Sequence, residues 1–361
     1  MNHPQLLDLY TDYLIVCPGQ ATATGLSQVL SGEVSHDRLT RLLASGGINS
    51  KQLWETVKPM AHEMASEEAV LVIDDSVQAK PYSRVNGLIS WHYDHTVGRS
   101  IKGVNFITAL YHSGGMSLPV GVEFVIKNRK VTSLKGTVRY KSDTTKNEHF
   151  RQLIDHGSRN LHFRYVLSDS WYSSVDNMRW CKERCRVNFV MALKENRNVA
   201  LSLQDKEQGH YTSIRSLGLG GGAVSVYVEQ LDFPLLVTKQ VFKNGDGSTG
   251  TLYLATSDQS LSHDQITAIY QKRWKVEQYH KSIKSNAAFA HSPTHTVKTQ
   301  KSHFIASLLA FVKLERLQIR RAENHFALKK KIWIQGARQA WLTLTQLSTP
   351  LPANSTFACV T

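Results

Sequence analysis

Apolar residues at positions 6, 7, 10 and 14 (Leu6, Leu7, Tyr10, Leu14) recur at helical spacing, and a second helical pattern covers residues 24–30. The first 65 or so residues therefore read as helices. After Ser31-Gly32, Ser35 is placed as an N-cap for a further helix in which Arg38 and Arg41 share a face. Helix, glycine-containing turn and helix is the outline of a helix-turn-helix, and equally of an ordinary helical hairpin. At Ala69 the period changes. Residues 69–73 are a continuous apolar run, rich in β-branched side chains and ending in Asp74-Asp75, as a buried central strand would be. Strands follow over 104–112 and 118–126, joined by Ser113-Gly114-Gly115-Met116 as a hairpin. A helix is expected over 146–156, a strand over 163–168 ending in Asp169, a helix over 173–184 and a strand over 187–193.

The order β-β-β-α-β-α-β is that of an α/β, ribonuclease-H-like core of the retroviral-integrase type, which should close with one more helix. Between Leu193 and Ser262 the chain is instead strand-like and punctuated by glycine, and is taken as a β-rich insertion. Ser262 then caps a long helix running to about Lys284. The expected division is a helical N-terminal region (1–66), the first part of the core (67–198), the insertion (199–258), the closing helix (259–290) and a helical, basic C-terminal region (291–361).

The 361 residues carry 43 Lys+Arg against 29 Asp+Glu, a formal net charge of +14. That balance points to a polyanionic partner, nucleic acid first, although solubility alone also explains it. No run approaches the roughly 18 apolar residues of a membrane helix, and the first ten residues lack a cationic segment followed by an apolar one, so no membrane association is expected and an intracellular protein is. The four cysteines do not form a disulfide framework, and Cys181 and Cys185 lack a second pair to complete a zinc site; all read as reduced and structural.

Asp74 and Asp169 each end a strand, and in this topology those strands are neighbours, so their side chains can share one metal ion. The third carboxylate should lie on the closing helix. At about 100° per residue, Tyr270, Arg273, Glu277 and Lys284 fall within a sector of roughly 60°, beside an apolar strip of Ile269, Val276, Tyr279 and Ile283 into which Lys272 intrudes. An acid flanked by bases on one face suits a metal site along which a phosphate backbone passes: the acid holds cation and the bases hold phosphate oxygens. Intrahelical ion pairs on a solvated face are the bland alternative.

The stretch reads Y-x2-R-x3-E-x6-K, and it resembles the signature of bacterial insertion-sequence DDE transposases that move by cut-and-paste through a hairpin intermediate. Val72-Ile73-Asp74-Asp75-Ser76 resembles that family's first-strand motif and Val166-Leu167-Ser168-Asp169-Ser170-Trp171-Tyr172 its second, so the likeness in ordering covers residues 69–284. The resemblance implies that Asp74, Asp169 and Glu277 bind two Mg²⁺ ions, which Mn²⁺ replaces, and that Tyr270, Arg273 and Lys284 grip the phosphate near the cleaved end. The family's Asp-x-Ser/Thr form favours Asp74 as the first ligand, with Asp75 as the alternative. Trp274 either stacks on a base drawn out of the duplex or is simply packed. The implied partners are double-stranded element ends and target DNA, with residues 1–66 binding DNA, a homodimer in the end-paired complex, and a bacterial cytoplasmic, nucleoid-associated location. A nuclease of the same fold that no longer transposes, and a non-catalytic DNA-binding regulator, are the rival readings.

His92-Tyr93-Asp94-His95 has metal-like spacing but falls in a loop between the first two strands, where facing DNA is the better expectation than holding zinc. Lys194, Asn196 and Arg197 follow a strand and either approach DNA or are an ordinary charged strand end. Gly218 to Gly222 has no Lys-Ser/Thr after it and so is not a phosphate-binding P-loop.

Overall fold

The computed structural model describes residues 2–94, 97–132, 136, 138–243 and 245–347. Four helices come first: α1 (His3–Val16), α2 (Ala23–Val29), α3 (His36–Ala44) and α4 (Ser50–Glu63). Asn2 and Gln5 form a reciprocal capping box at the start of α1, whose Leu6, Leu7, Tyr10 and Leu14 are all buried. Ser35 occupies the N-cap of α3 but makes no side-chain cap bond there.

Next come β1 (Val70–Ala79), β2 (Ser90–Asp94), β3 (Arg99–Ser113), β4 (Met116–Phe124) and the two-stranded ribbon β5 (Lys127–Thr132) and β6 (Val138–Ser142). Gly114 and Gly115, both at positive φ, turn β3 into β4 as the hairpin predicted from sequence. β1 does not stop at Asp74: it stays paired antiparallel to β3 as far as Ala79 opposite Gly103. Gly103 is required at this crossing, because a Cβ there would stand 2.2 Å from the Gln78 carbonyl oxygen. The segment holding His92, Tyr93 and Asp94 is not a loop but strand β2, with Ser90 and His92 inward and Trp91 and Tyr93 outward, paired to the start of β3. His95 lies outside the described residues.

Helix α5 (Lys146–Asn160), with a Thr145–Glu148 capping box, lays Phe150, Leu153 and Ile154 into the core. It leads to β7 (Tyr165–Ser168), α6 (Val175–Arg179) continued by a π-type turn over Trp180–Arg184, and β8 (Asn188–Leu193). β9 (Asn198–Val199), α7 (Leu203–Glu207) and β10 (Thr212–Ser213) are short; β11 (Ala223–Val226), β12 (Leu235–Lys243) and β13 (Thr249–Thr256) follow. The central sheet has the order β11-β12-β13-β8-β7-β1-β3-β2, with β4 also on β3. β4, β3, β1, β7 and β8 make the ribonuclease-H-like core, antiparallel on one side and parallel from β1 through β7 to β8. The strand-rich stretch continues this same sheet, because β13 pairs antiparallel with β8.

Among the described residues four helices follow: α8 (His263–Gln271), α9 (Trp274–Asn286), α10 (Val297–Arg321) and α11 (His325–Leu347). Between Phe304 and Leu314 α10 is apolar but for Ser307 and Lys313, and all of it except Lys313 is buried, the helix packing against β4, α1, α3, α4 and α9. The Tyr10 hydroxyl bonds Nδ1 of His303, whose Nε2 bonds the Ala288 carbonyl, tying α1, α10 and the end of α9 together. One apolar cluster runs from Leu6 to Leu314. Beyond Trp333, α11 is exposed. Among the described residues no helix is long and apolar enough to cross a membrane.

Candidate active site

The parallel pairing of β1 with β7 ends at Val72 opposite Leu167. Two residues farther along each chain stand Asp74 and Asp169, in the same alternation phase and so on the same face. Asp74 is thus mid-strand with respect to β3 but just past the last rung towards β7, where the sheet opens. Asp169 is fixed by a tight turn: its Oδ1 accepts the Trp171 amide at 3.0 Å and its carbonyl accepts the Tyr172 amide at 3.3 Å. Burial pushes the Asp74 carboxyl up to about 8; Asp169, Asp75 and Glu277 add to the rise and Arg273 opposes it. Asp169 is also raised, again chiefly by burial. Both carboxyls thus resist ionisation mainly because they are desolvated, with like charge adding to the effect.

The single helix predicted from Ser262 to Lys284 is two. Ser262 caps α8 as expected, in a capping box with Gln265, but at Lys272-Arg273 the backbone tightens to i→i−3 bonds, Arg273 N to Tyr270 O at 2.9 Å and Val276 N to Arg273 O at 3.0 Å, before α9 begins. The break places Lys272 away from the apolar strip; its ammonium donates to the Glu68 carbonyl at 2.9 Å. Val276, Tyr279 and Ile283 seat α9 in the core. Arg273 stands at the break. Its Nη1 donates to Asp74 Oδ2 at 3.1 Å, its Nη2 lies 3.5 Å from Glu277 Oε1, and the guanidinium is 5.8 Å from the Tyr270 ring centre. Burial alone would lower the Arg273 pKa, but Tyr270, Asp74, Glu277 and Asp169 carry it above the usual arginine value. Burial raises Tyr270 to about 12. Lys284 donates to Ser76 Oγ at 2.9 Å, and burial lowers its pKa, against the pull of Asp94 and Glu277.

Asp75 has different company. Its Oδ2 accepts Lys146 Nζ at 2.6 Å and its Oδ1 accepts the Tyr172 hydroxyl at 2.8 Å. These bonds hold it towards α5, while Asp74 faces Arg273.

Asp74, Asp75, Asp169, Glu277, Arg273 and Lys284 all line one cavity of about 840 Å³. Tyr270 reaches it through Arg273; Trp274 is 65% exposed and does not line it. Sequence reasoning singled out neither Lys146 nor Trp171 for the site, and both line the cavity with Tyr93 and Asp94 of β2. The signal for Lys146 was its place in the first turn of a well-capped helix beside an acidic strand end. Lys194 also lines it, whereas Asn196 and Arg197 line an adjoining pocket with Lys194.

The oxygen-only donor set suits Mg²⁺ or Mn²⁺, and Asp169, Asp75 and Glu277 add like charge to the burial that raises the Asp74 carboxyl. The spacing is open: among the described residues no three acidic, histidine or cysteine side chains stand close enough to hold one ion. The reason is visible, since a guanidinium lies between Asp74 and Glu277.

Comparison with known proteins gives three results. A sequence profile of the family described as DDE superfamily endonuclease matches residues 2–214, a span that includes Asp74 and Asp169. A chain of the Drosophila P element transposase strand transfer complex is similar at 11% identity and TM-score 0.25, over 58% of this chain and 48% of that one, so the matched region spans less than half of that relative. No curated protein matches. Matched over more than half of its length, and folded around a ribonuclease-H-like sheet, the chain belongs to the DDE superfamily endonucleases.

Proposed function

We propose that the protein is a DNA transposase of the bacterial insertion-sequence type, cleaving and joining the ends of its element by metal-dependent phosphoryl transfer. The observation that carries this reading is that Asp74, Asp169 and Glu277, from three distant segments, line one cavity together with Arg273 and Lys284. In this reading the three carboxylates, with Asp74 rather than Asp75 as the first, hold two Mg²⁺ ions, or Mn²⁺ in their place. Such ions activate the attacking oxygen and stabilise the leaving one. Glu277 can join the two aspartates only as Arg273 gives up one of its carboxylate partners, and a DNA phosphate is the competitor that draws the guanidinium away. Lys284 and Tyr270 hold the same backbone, Lys284 leaving Ser76 to do so. Asp75 keeps its bonds to Lys146 and Tyr172 and fixes the strand beside the site.

By resemblance to the hairpin-forming family, the 3′-hydroxyl freed by nicking attacks the opposite strand, the hairpin is reopened by water, and the end is joined to target DNA. Two copies act in the end-paired complex, with helices α1 to α4 contributing end binding, in a bacterial cytoplasm on nucleoid DNA. A base-stacking role for Trp274 has less support, because that side chain lies off the cavity.

The test begins with inverted repeats flanking the gene, which supply the end DNA. With Mg²⁺, the wild type should nick that DNA and join pre-cleaved ends to a target, while Glu277→Ala binds the ends and does neither. Cleavage without joining would make the protein a nuclease of the same fold. Equal end binding by wild type and Glu277→Ala with no cleavage by either would make it a regulator.

A further inference from the structure

Trp171 follows Asp169 by two residues and is 41% exposed at the wall of the carboxylate cavity. An indole left in water forgoes roughly 25 cal/mol per Å² of apolar burial, so a rigidly held one beside acids calls for a reason. It is held: its amide donates to Asp169 Oδ1 at 3.0 Å, the Ser173 hydroxyl closes the turn on the Ser170 carbonyl at 2.9 Å, and its ring meets Tyr172 edge-on at 4.9 Å. Lys146 Nζ lies 5.1 Å from the ring centre while also bonding Asp75. Around the same cavity stand the cations Lys146, Lys194, Arg273, Lys281 and Lys284, enough to follow a phosphate backbone. On the far side of β1, beyond β3, the exposed Tyr93 of β2 lines the cavity as well.

We propose that Trp171 is a stacking platform for an unpaired nucleobase adjoining the phosphodiester held in the cavity. A groove that offers cations to the backbone and a fixed aromatic on its wall is an arrangement that binds single-stranded nucleic acid with little sequence preference, since every base offers a π-face. The inference rests on reading the cavity as a DNA site, but it concerns the state of the base there and names a residue of the second aspartate's turn rather than Trp274. An unpaired base stacks on the indole; a paired one is held away from it by its partner strand.

The full-length protein is titrated in EDTA with fluorescent oligothymidine of about 12 nucleotides and with a blunt duplex of matched length. Trp171→Leu should weaken single-strand binding about tenfold, Trp171→Phe by no more than about threefold, and neither should alter duplex binding more than about twofold. A parallel loss on duplex, equal behaviour of the leucine and phenylalanine variants, loss through Trp274→Ala instead, or no single-strand binding by the wild type overturns the proposal. Independently of any variant, 5-iododeoxyuridine in the oligonucleotide should photocrosslink to the peptide containing Trp171; crosslinks confined to other peptides overturn it. Because binding is read without divalent ions, intact end cleavage with no stacking sinks only this inference, and stacking without cleavage sinks only the proposed reaction.

Discussion

Arg273 Nη1 lies 3.1 Å from Asp74 Oδ2, joining the break between two C-terminal helices to the middle of the first strand across about 200 residues of sequence. The same guanidinium is 3.5 Å from Glu277. It is thus shared by carboxylates that the proposed chemistry needs for itself, and its charge offsets only part of the burial and repulsion that hold Asp74 near 8.

That burial, with the like charge beside it, gives the site a stability signature. Asp74 is raised above its unfolded value of 3.8, so the folded state favours its protonated form; the contribution is full below about 3.8 and is lost as pH rises towards 8. Near pH 7.5, Asp74→Asn should therefore stabilise the divalent-free protein, by on the order of 1–3 kcal/mol. The measurement is urea unfolding in EDTA at pH 5 and 7.5. A gain that does not grow with pH, or a loss at both, would show that Asp74 is not strained. Mg²⁺ should raise the melting temperature of the wild type and not that of the variant.

Glu277 is 46% exposed in its side chain and makes a single i,i+4 contact to Arg273. Contacts of that kind contribute little, so Glu277→Gln should change unfolding free energy by no more than about 0.5 kcal/mol. If the carboxylate is a ligand, cleavage of end DNA should nonetheless fall by about a hundredfold or more. Equal cleavage by the glutamine variant would remove Glu277 from the chemistry while leaving the fold untouched.

Much of this was legible because the signals were local. The apolar run before Asp74, the double glycine between β3 and β4, and Ser262 at the head of a helical pattern each announce themselves within a few positions. The stripe of Arg273, Glu277 and Lys284 was found with a continuous helix, although the chain breaks at Lys272-Arg273; the three still line one cavity, because the tightened turn keeps α8 and α9 in succession. Lys272, which looked like a flaw in the apolar strip, marks where the helix stops. What escaped was decided by distant partners. β2 buries Ser90 and His92, so its inward face does not look apolar, and only pairing with β3 makes it a strand. That β11, β12 and β13 extend the central sheet depends on β13 meeting β8, a contact no short window contains. Trp171 was read as part of a motif, and its exposure is a property of the folded turn.

A second buried anchor holds α9 from behind. Glu315 Oε2 accepts the Ser117 amide at 2.7 Å, its Oε1 lies 3.2 Å from His325 Nε2, and His325 Nδ1 bonds Ser282 Oγ at 2.8 Å on α9. Removing the acid leaves the buried Ser117 amide without its acceptor and takes the carboxylate away from the His325 ring. Glu315→Ala should cost about 3–5 kcal/mol, whereas Glu315→Gln, which can still accept from Ser117, should cost nearer 1 kcal/mol. Denaturant unfolding of the two variants decides it: equal losses would mean that α10 and α11 are held by packing alone.

Four buried histidines set the acid limit of the fold. Burial lowers His92, His280 and His303 to about 3 and His112 to about 4. Each is depressed below its unfolded value of 6.5, so the stability it supports is present above that value and is lost as pH falls towards the folded one. Asp74 runs the other way between 3.8 and 8, gaining on acidification. Below pH 6.5 the unfolded chain takes up protons at these four rings that the folded one refuses, against those that Asp74 and, lower down, Asp169 and Glu123 take in the folded state, so the histidines prevail. From pH 6.5 to 5 a fully buried histidine withdraws up to about 2 kcal/mol, and the net loss should unfold the protein well before the carboxylates titrate in bulk. Circular dichroism melts from pH 8 to 4 should show a steep fall beginning near 6.5. His303 offers the specific check: its Nδ1 and Nε2 bond Tyr10 and the Ala288 carbonyl, which suits a neutral ring, so His303→Gln should be less stable at pH 8 yet lose less on going to pH 5. A melt independent of pH down to 4 would mean that these rings protonate without leaving the core.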